Sequence, residues 1–349
     1  MTKSNLGRFF EDFRVGETIR HATPRTLTPA EGKLNIALTG SRYALFSSDE
    51  FARTSGLPTA PFDPLLVFHI VFGKTVPDIS PNAVANLGYA EGVFREPVYP
   101  GDTLAATSDV IGLKQNSSGK TGVVTVRTKG VNQHGRVVLD YVRWVMVNKR
   151  DAGASAPQEH APDLAPAVKA SELCLDDRLD FARYDWELAG SPYAFEDYAI
   201  GERIDHVDGM TIEEAEHQLA TRLYQNTAKV HFDALAQRSS RFGKRLIYGG
   251  VAISIARALA FNGLANAALI LGINAGRHVA PLFAGDTIYA WSEVLDKADL
   301  GRCGALRLRL VAAKNRCCAD FSLKNDAGEY DASVILDFDY WAAIPQKRA

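Results

Sequence analysis

The chain repeats itself. Phe10-Glu11-Asp12-Phe13 recurs 185 positions later as Phe195-Glu196-Asp197-Tyr198, and Val15-Gly16-Glu17 recurs at the same offset as Ile200-Gly201-Glu202. The offset also carries Ile19 and His21 onto Ile204 and His206, and Thr26, Ala30 and Glu31 onto Thr211, Ala215 and Glu216. Pro97-Val98-Tyr99-Pro100-Gly101-Asp102-Thr103-Leu104 returns at offset 184 as Pro281-Leu282-Phe283-Ala284-Gly285-Asp286-Thr287-Ile288, and Leu139-Asp140-Tyr141 resembles Leu336-Asp337-Phe338. A register held over some 90 residues with one slip requires that any fold for the first half also serve the second.

The 349 residues suit two such domains. Between the copies, residues 151–170 are rich in alanine and contain Pro157, Pro162 and Pro166, the composition of a partly extended linker. The halves are therefore 1–150 and 171–349. An apolar fraction of 46% and a charged fraction of 23% exclude a disordered or fibrous chain. Lys+Arg 39 against Asp+Glu 41 leaves no basic excess for nucleic acid. No apolar run approaches the roughly 18 residues of a membrane span, and the N-terminus lacks the apolar core of a leader. Cys174 and Cys303 stand alone, and the adjacent Cys317 and Cys318 suit neither zinc nor a disulfide. Reduced thiols and a cytoplasmic location are expected.

Each half reads in one order. A Gly turn and short strand lead to a helix opening on a capping box, Thr28 to Glu31 or Thr211 to Glu214. A loop follows, then a helix apolar nearly all round. In the first half this is Pro64 to Phe72, stopped at Gly73; in the second it is Gly250 to Phe261, stopped by Asn262-Gly263. Such helices must be buried on most faces. Then come strands: Leu306-Arg307-Leu308-Arg309-Leu310 alternates strictly, Gly122 to Lys129 more loosely, with Val137 to Val147 and Val334 to Tyr340 as the last long ones. A buried helix wrapped by an antiparallel sheet is an α+β hotdog; two in tandem predict a double hotdog with its sheets paired edge to edge.

No nucleotide-binding glycine loop, serine-hydrolase elbow, zinc-peptidase helix or CxxC pair is present. His231 and Asp233 form the one close His/carboxylate pair, without a third metal ligand at useful spacing, so no metal is expected. They lie in Arg222-Leu223-Tyr224-Gln225-Asn226-Thr227-Ala228-Lys229-Val230-His231-Phe232-Asp233, between the capped helix and the buried helix. This segment resembles the D-x-N-P-x-H-x-D motif of the MaoC-like, R-specific enoyl-CoA hydratase family. His231 falls on the family histidine and Asp233 on its trailing aspartate. Asn226 stands at the catalytic aspartate, and Ala228-Lys229 replaces the Asn-Pro pair; both are departures. Gly285-Asp286-Thr287 falls on the family's GDT strand opening.

The repeat maps the same motif onto the first half, where Ser41 replaces the aspartate and Phe46 the histidine. Free amides at the N-terminus of the buried helix are suited to an enolate oxygen. The second half offers Gly249 and Gly250 there, whereas the first has Asp63-Pro64-Leu65, whose proline has no N–H. One working site per chain, in the second half, is expected.

The resemblance implies hydration of an enoyl-CoA, with coenzyme A as part of the substrate, no further cofactor, and a homo-oligomer, most simply a dimer. His21-Ala22-Thr23-Pro24-Arg25 and Gly73-Lys74-Thr75-Val76-Pro77-Asp78-Ile79-Ser80 are similar to the branch of the family that interconverts mesaconyl-C1-CoA and (2R,3S)-β-methylmalyl-CoA. His231 would be the general base, with a pKa near neutrality. Asn226 would orient water, and the Gly249 and Gly250 amides would hold the enolate. The Cα proton could come from His231 by syn addition, from Tyr224, Asp233 or Asp63, or from the substrate carboxylate. Arg277 and His278 are candidates for the substrate carboxylate, and Arg241, Lys244 and Arg245 for coenzyme A phosphates. Asn226 equally allows a non-catalytic thioester-binding protein, or a hydratase of another branched or dicarboxylic enoyl-CoA.

Overall fold

Residues 3–319 and 323–347 are described by a computed structural model of the chain. The strands are β1 (Thr18–Arg20), β2 (Arg25–Thr26), β3 (Ala83–Phe94), β4 (Thr103–Gln115), β5 (Thr121–Val131), β6 (Val137–Asn148), β7 (Arg203–Thr211), β8 (Leu269–His278), β9 (Thr287–Asp299), β10 (Gly304–Lys314) and β11 (Val334–Ile344). They form one antiparallel sheet in the order β1-β4-β5-β6-β3-β8-β11-β10-β9-β7, with β2 alongside β4. The halves join edge to edge where Tyr89 of β3 pairs with Gly276 of β8 and Val93 with Gly272. That junction covers two edges that would otherwise invite aggregation.

Two core helices lie against this sheet, Pro64–Ile79 from the first half and Gly249–Leu259 from the second. Their middles touch: His69 Nε2 lies 2.8 Å from Ser254 Oγ, and these residues are related by the repeat offset. Leu65, Leu66, Phe68, Ile70 and Val71 are at most 2% exposed. Burying each such side chain contributes about 1.5–3 kcal/mol, which outweighs the helix's internal Pro77.

Duplication extends to single hydrogen bonds. His21 Nε2 pairs with Ser108 Oγ, and His206 Nε2 with Ser292 Oγ, both at 2.8 Å. Asp102 accepts the Tyr99 N–H as Asp286 accepts the Phe283 N–H. Each GDT aspartate thus closes the turn that opens its strand.

Two boundaries differ from the sequence expectation. The first core helix continues through Gly73 instead of stopping there. Gly73 marks a close approach: a Cβ would lie 1.8 Å from the Tyr224 carbonyl oxygen. In the second half the capped helix is Glu214–Leu223, with Glu213 and Glu216 forming the box, because Thr211 is engaged in β7 opposite Thr287. Glu213 is the repeat partner of Thr28, so the register, not the Ser/Thr signature, marked the start. Residues 151–169 hold no helix or strand; they cross the sheet, tied by a bridge between His160 and Leu113 and by Trp341 Nε1 donating to the Val168 carbonyl.

Candidate active site

The site is assembled around the N-terminus of the second core helix. Tyr248 caps that helix without a side-chain bond, and its own N–H donates to His217 Nε2 at 3.0 Å. Among the described residues no backbone hydrogen bond takes up the N–H of Gly249 or Gly250. His231 rides on the single helical turn Lys229–Phe232. Its Nδ1 donates to the Leu246 carbonyl at 2.9 Å, and Leu246 N–H returns a bond to the Val230 carbonyl at 3.1 Å. This ladder holds His231 beside the segment that leads into Gly249, and it fixes the tautomer with Nε2 as acceptor. The His231 ring lies 5.5 Å from the Tyr248 ring and 6.2 Å from His217.

Asn226 is 1% exposed. Its Oδ1 accepts the Ala228 N–H at 3.2 Å, bracing the turn that carries His231, and the amide nitrogen remains a donor. The residue before it, Gln225, has φ +56°; its repeat partner Gly40 has φ +69°. A left-handed glutamine costs about 1–2 kcal/mol where the first half uses glycine, and such strain collects at functional loops.

His278 ends β8, and its ring lies flat against Gly249: a Cβ there would come within 2.2 Å of His278 Cε1. Tyr89 Oη, from the first half, bonds His278 Nε2 at 3.1 Å. Arg277, one residue earlier, is exposed on the opposite face of the strand, its guanidinium 6.0 Å from the Tyr330 ring. Tyr224 sends its hydroxyl across to Asn35 Oδ1 of the first half at 3.0 Å. Asp233 accepts the Ala236 N–H and caps the next turn. Arg245 is engaged by Gln218 and Glu214, while Arg241 and Lys244 lie over Phe242 and Phe283. Among the described residues no cluster of three His, Cys, Asp or Glu could hold a metal, and no helix is long and apolar enough to cross a membrane.

Burial sets the protonation states. Loss of solvent pushes His231 down to about 4, opposed by its bond to Leu246. The same cause takes His278 to about 4 and His217 to about 3. All three are neutral at pH 7, and His231 lies well below the near-neutral pKa expected from its residue type. His217 escaped the motif search. The repeat could have found it, because its partner in the first half is Gly32.

That exchange explains where open space lies. A cavity of about 170 Å³ occupies the first half, lined by Gly32, Asn35, Ser41, Phe46 and Asp63. In the second half the corresponding positions are filled by His217, Ala220, Asn226, His231 and Tyr248. The first-half cavity has no anion hole. Pro64 has no N–H, Asp63 Oδ1 takes up the Leu65 N–H at 2.8 Å, and burial raises the Asp63 carboxyl to about 6. Replacing Ser41 with Ala is therefore expected to change kcat/KM by less than about threefold, near 0.6 kcal/mol. A hundredfold loss in steady-state turnover would place chemistry in the first half.

Comparison with known proteins places the chain in a family. The profile of the mesaconyl-CoA hydratase family matches residues 2–322. A mesaconyl-CoA hydratase of Cereibacter sphaeroides is 61% identical over 346 residues, covering 99% of this chain and 100% of the relative. A β-methylmalyl-CoA dehydratase of Chloroflexus aurantiacus is 59% identical, covering 99% of each. The crystal structure of a MaoC domain dehydratase from Chloroflexus aurantiacus superposes with a TM-score of 0.97 over 100% of both chains at 59% identity. A Mycobacterium tuberculosis protein described as a double hotdog superposes at 0.78, covering 97% of this chain and 98% of its own, at 26% identity.

Proposed function

The chain belongs to the mesaconyl-CoA hydratase family, and from that premise we propose that its second-half site adds water reversibly to mesaconyl-C1-CoA, giving (2R,3S)-β-methylmalyl-CoA. The observation that carries the reading is the juxtaposition of a neutral His231, its Nε2 unprotonated, with two free amides at a helix N-terminus.

Water held by Asn226 gives a proton to His231 Nε2 while its oxygen bonds to C3. The C2=C3 pair moves toward the thioester, and the Gly249 and Gly250 amides receive the enolate oxygen. The His231 imidazolium then returns its proton to C2 on the same face, which is syn addition, and the carbonyl reforms. The atoms of one water are gained and no oxidant is needed. Asn226 exchanges no proton. His278, clamped by Tyr89, acts as a positioning residue that buttresses Gly249. Arg241 over the exposed Phe242 and Lys244 over Phe283 form a basic and apolar rim suited to coenzyme A. Four free thiols are in keeping with a reducing cytoplasm.

The test follows mesaconyl-CoA by loss of enoyl absorbance and by release of free thiol. Hydration consumes the absorbance without thiol. Thiol release would indicate a thioesterase, and binding without either change would indicate a non-catalytic module. Asn226→Asp provides a finer check. It removes a donor and places an anion beside His231, which favours the imidazolium and raises its pKa. Slower turnover with the acid limb of the pH–rate profile moved to higher pH is expected; faster turnover with an unmoved limb would make Asn226 a degraded aspartate.

A further inference from the structure

One buried charge has no use in this mechanism. Arg143, on β6, is 0% exposed and makes no ion pair among the described residues. Its guanidinium donates to Thr75 Oγ1 at 2.8 Å, Ser80 Oγ at 3.3 Å and Asn86 Oδ1 at 3.4 Å, all neutral. Nε finds no partner. The group stacks 4.4 Å over the Phe72 ring, which also neighbours Tyr248 at 5.6 Å, Phe68 at 6.1 Å and Tyr89 at 6.4 Å. Tyr248 Oη is a second buried polar atom with no partner. Tyr141, Tyr89 and Tyr248 all lie near Arg143, and Tyr248 adjoins Gly249 in the chain.

A buried guanidinium without a counter-ion is strongly unfavourable in the free protein. The repeat keeps an arginine stacked on an aromatic ring at these two positions and exchanges the element that supplies it. Arg143 and Phe72 correspond to Tyr340 and Arg257, so the stacked cation comes from the strand in one half and from the helix in the other. Arg257 Nη2 donates to the Ala267 and Ala268 carbonyls, while its Nε and Nη1 find no partner. Arg143 reaches side-chain hydroxyls and an amide instead of carbonyls, and of the two it alone stacks on a ring that neighbours Tyr248, the residue before Gly249.

We propose that Arg143, with the Tyr248 hydroxyl, receives the free carboxylate of the substrate and so selects dicarboxylic over simple branched enoyl thioesters. This rests on the reading of the site given above. In mesaconyl-C1-CoA the carboxylate is on C3, trans to the thioester. With the thioester oxygen at Gly249 and Gly250, the anion extends past Tyr248 toward the first half. Charge-assisted bonds from a guanidinium there replace a missing counter-ion and orient C3 toward the water held near His231. The binding pocket is then shared between halves, the chemistry coming from the second and the selectivity from the first.

The experiment compares kcat/KM for mesaconyl-CoA and for tiglyl-CoA, which has the same geometry with methyl in place of carboxylate, in the parent, Arg143→Met and Tyr248→Phe. The parent is expected to prefer mesaconyl-CoA by at least about 10³-fold. Arg143→Met should cut that preference by about 10²-fold or more, almost wholly by loss on mesaconyl-CoA, and should melt no lower than the parent, as apolar replacements of buried ions commonly do. Tyr248→Phe, which keeps the charge and the ring, should cut it by about tenfold. An unchanged preference in either variant, or an equal loss on both substrates, would overturn the proposal. So would a preference lost in Arg277→Gln and kept in Arg143→Met. Failure of the parent to hydrate mesaconyl-CoA would instead refute the functional reading, and that result is visible before any variant is made.

Discussion

Replacing His231 with Ala is expected to lower kcat by at least about 10²-fold while the protein stays folded, because the proposed mechanism gives its imidazole the water proton. The ring is half-buried, and its loss removes a single bond to the Leu246 carbonyl, a modest stability change. The parent's pH profile carries the same argument. His231 is pushed down to about 4 by burial, so its base form is lost only as pH falls toward that value. The rate is expected to stay level from pH 8 to 6; a limb at 6.5 would mean a solvated imidazole. Stability moves earlier. A folded-state pKa below the unfolded 6.5 contributes stability that is fully present above 6.5 and is lost as pH falls toward 4. His217 and His278 act in the same direction, so thermal melting should drop below pH 6.5 before the base itself titrates. Near-normal turnover in purified His231→Ala would remove the histidine from the mechanism.

Gly249→Ala is expected to be nearly as damaging, for a different reason. The new methyl would come within 2.2 Å of His278 Cε1, and that ring is held by Tyr89. Either the ring leaves Tyr89 or the helix N-terminus shifts, and both move the Gly249 amide away from the enolate oxygen. Losing one oxyanion donor costs about 10²–10³ in kcat. Overpacking of this kind also destabilises by about 1–3 kcal/mol, so the rate must be measured well below the variant's melting temperature. A variant that turns over within about threefold of the parent would show that the amides are not the anion site.

Much of this was legible before any coordinates. The duplicated turns predicted the duplicated fold, because Gly101 and Gly285, at φ +99° and +91°, need the same left-handed backbone. The strict alternation of Leu306 to Leu310 became β10, buried at each leucine. His231 stands out as a candidate through motif and register together. What was hidden depends on contacts between halves. Gly73 reads as a helix stop, yet it is a glycine because the Tyr224 carbonyl passes against it. His217 and Arg143 carry no local motif; each gains meaning only beside a helix N-terminus or a ring more than 30 residues away in the chain. Arg277 has the residue type for an anion site, but strand alternation sends it outward while His278 turns in.

The central claim is that one helix N-terminus per chain, the one at Gly249, binds the thioester. Calorimetric titration with methylsuccinyl-CoA, a saturated analogue that cannot take up water, tests it most directly. The account predicts about one molecule bound per chain in the parent and in Ser41→Ala, and binding lost or greatly weakened in Gly249→Ala. Two molecules per chain, or undiminished binding in Gly249→Ala, would contradict it.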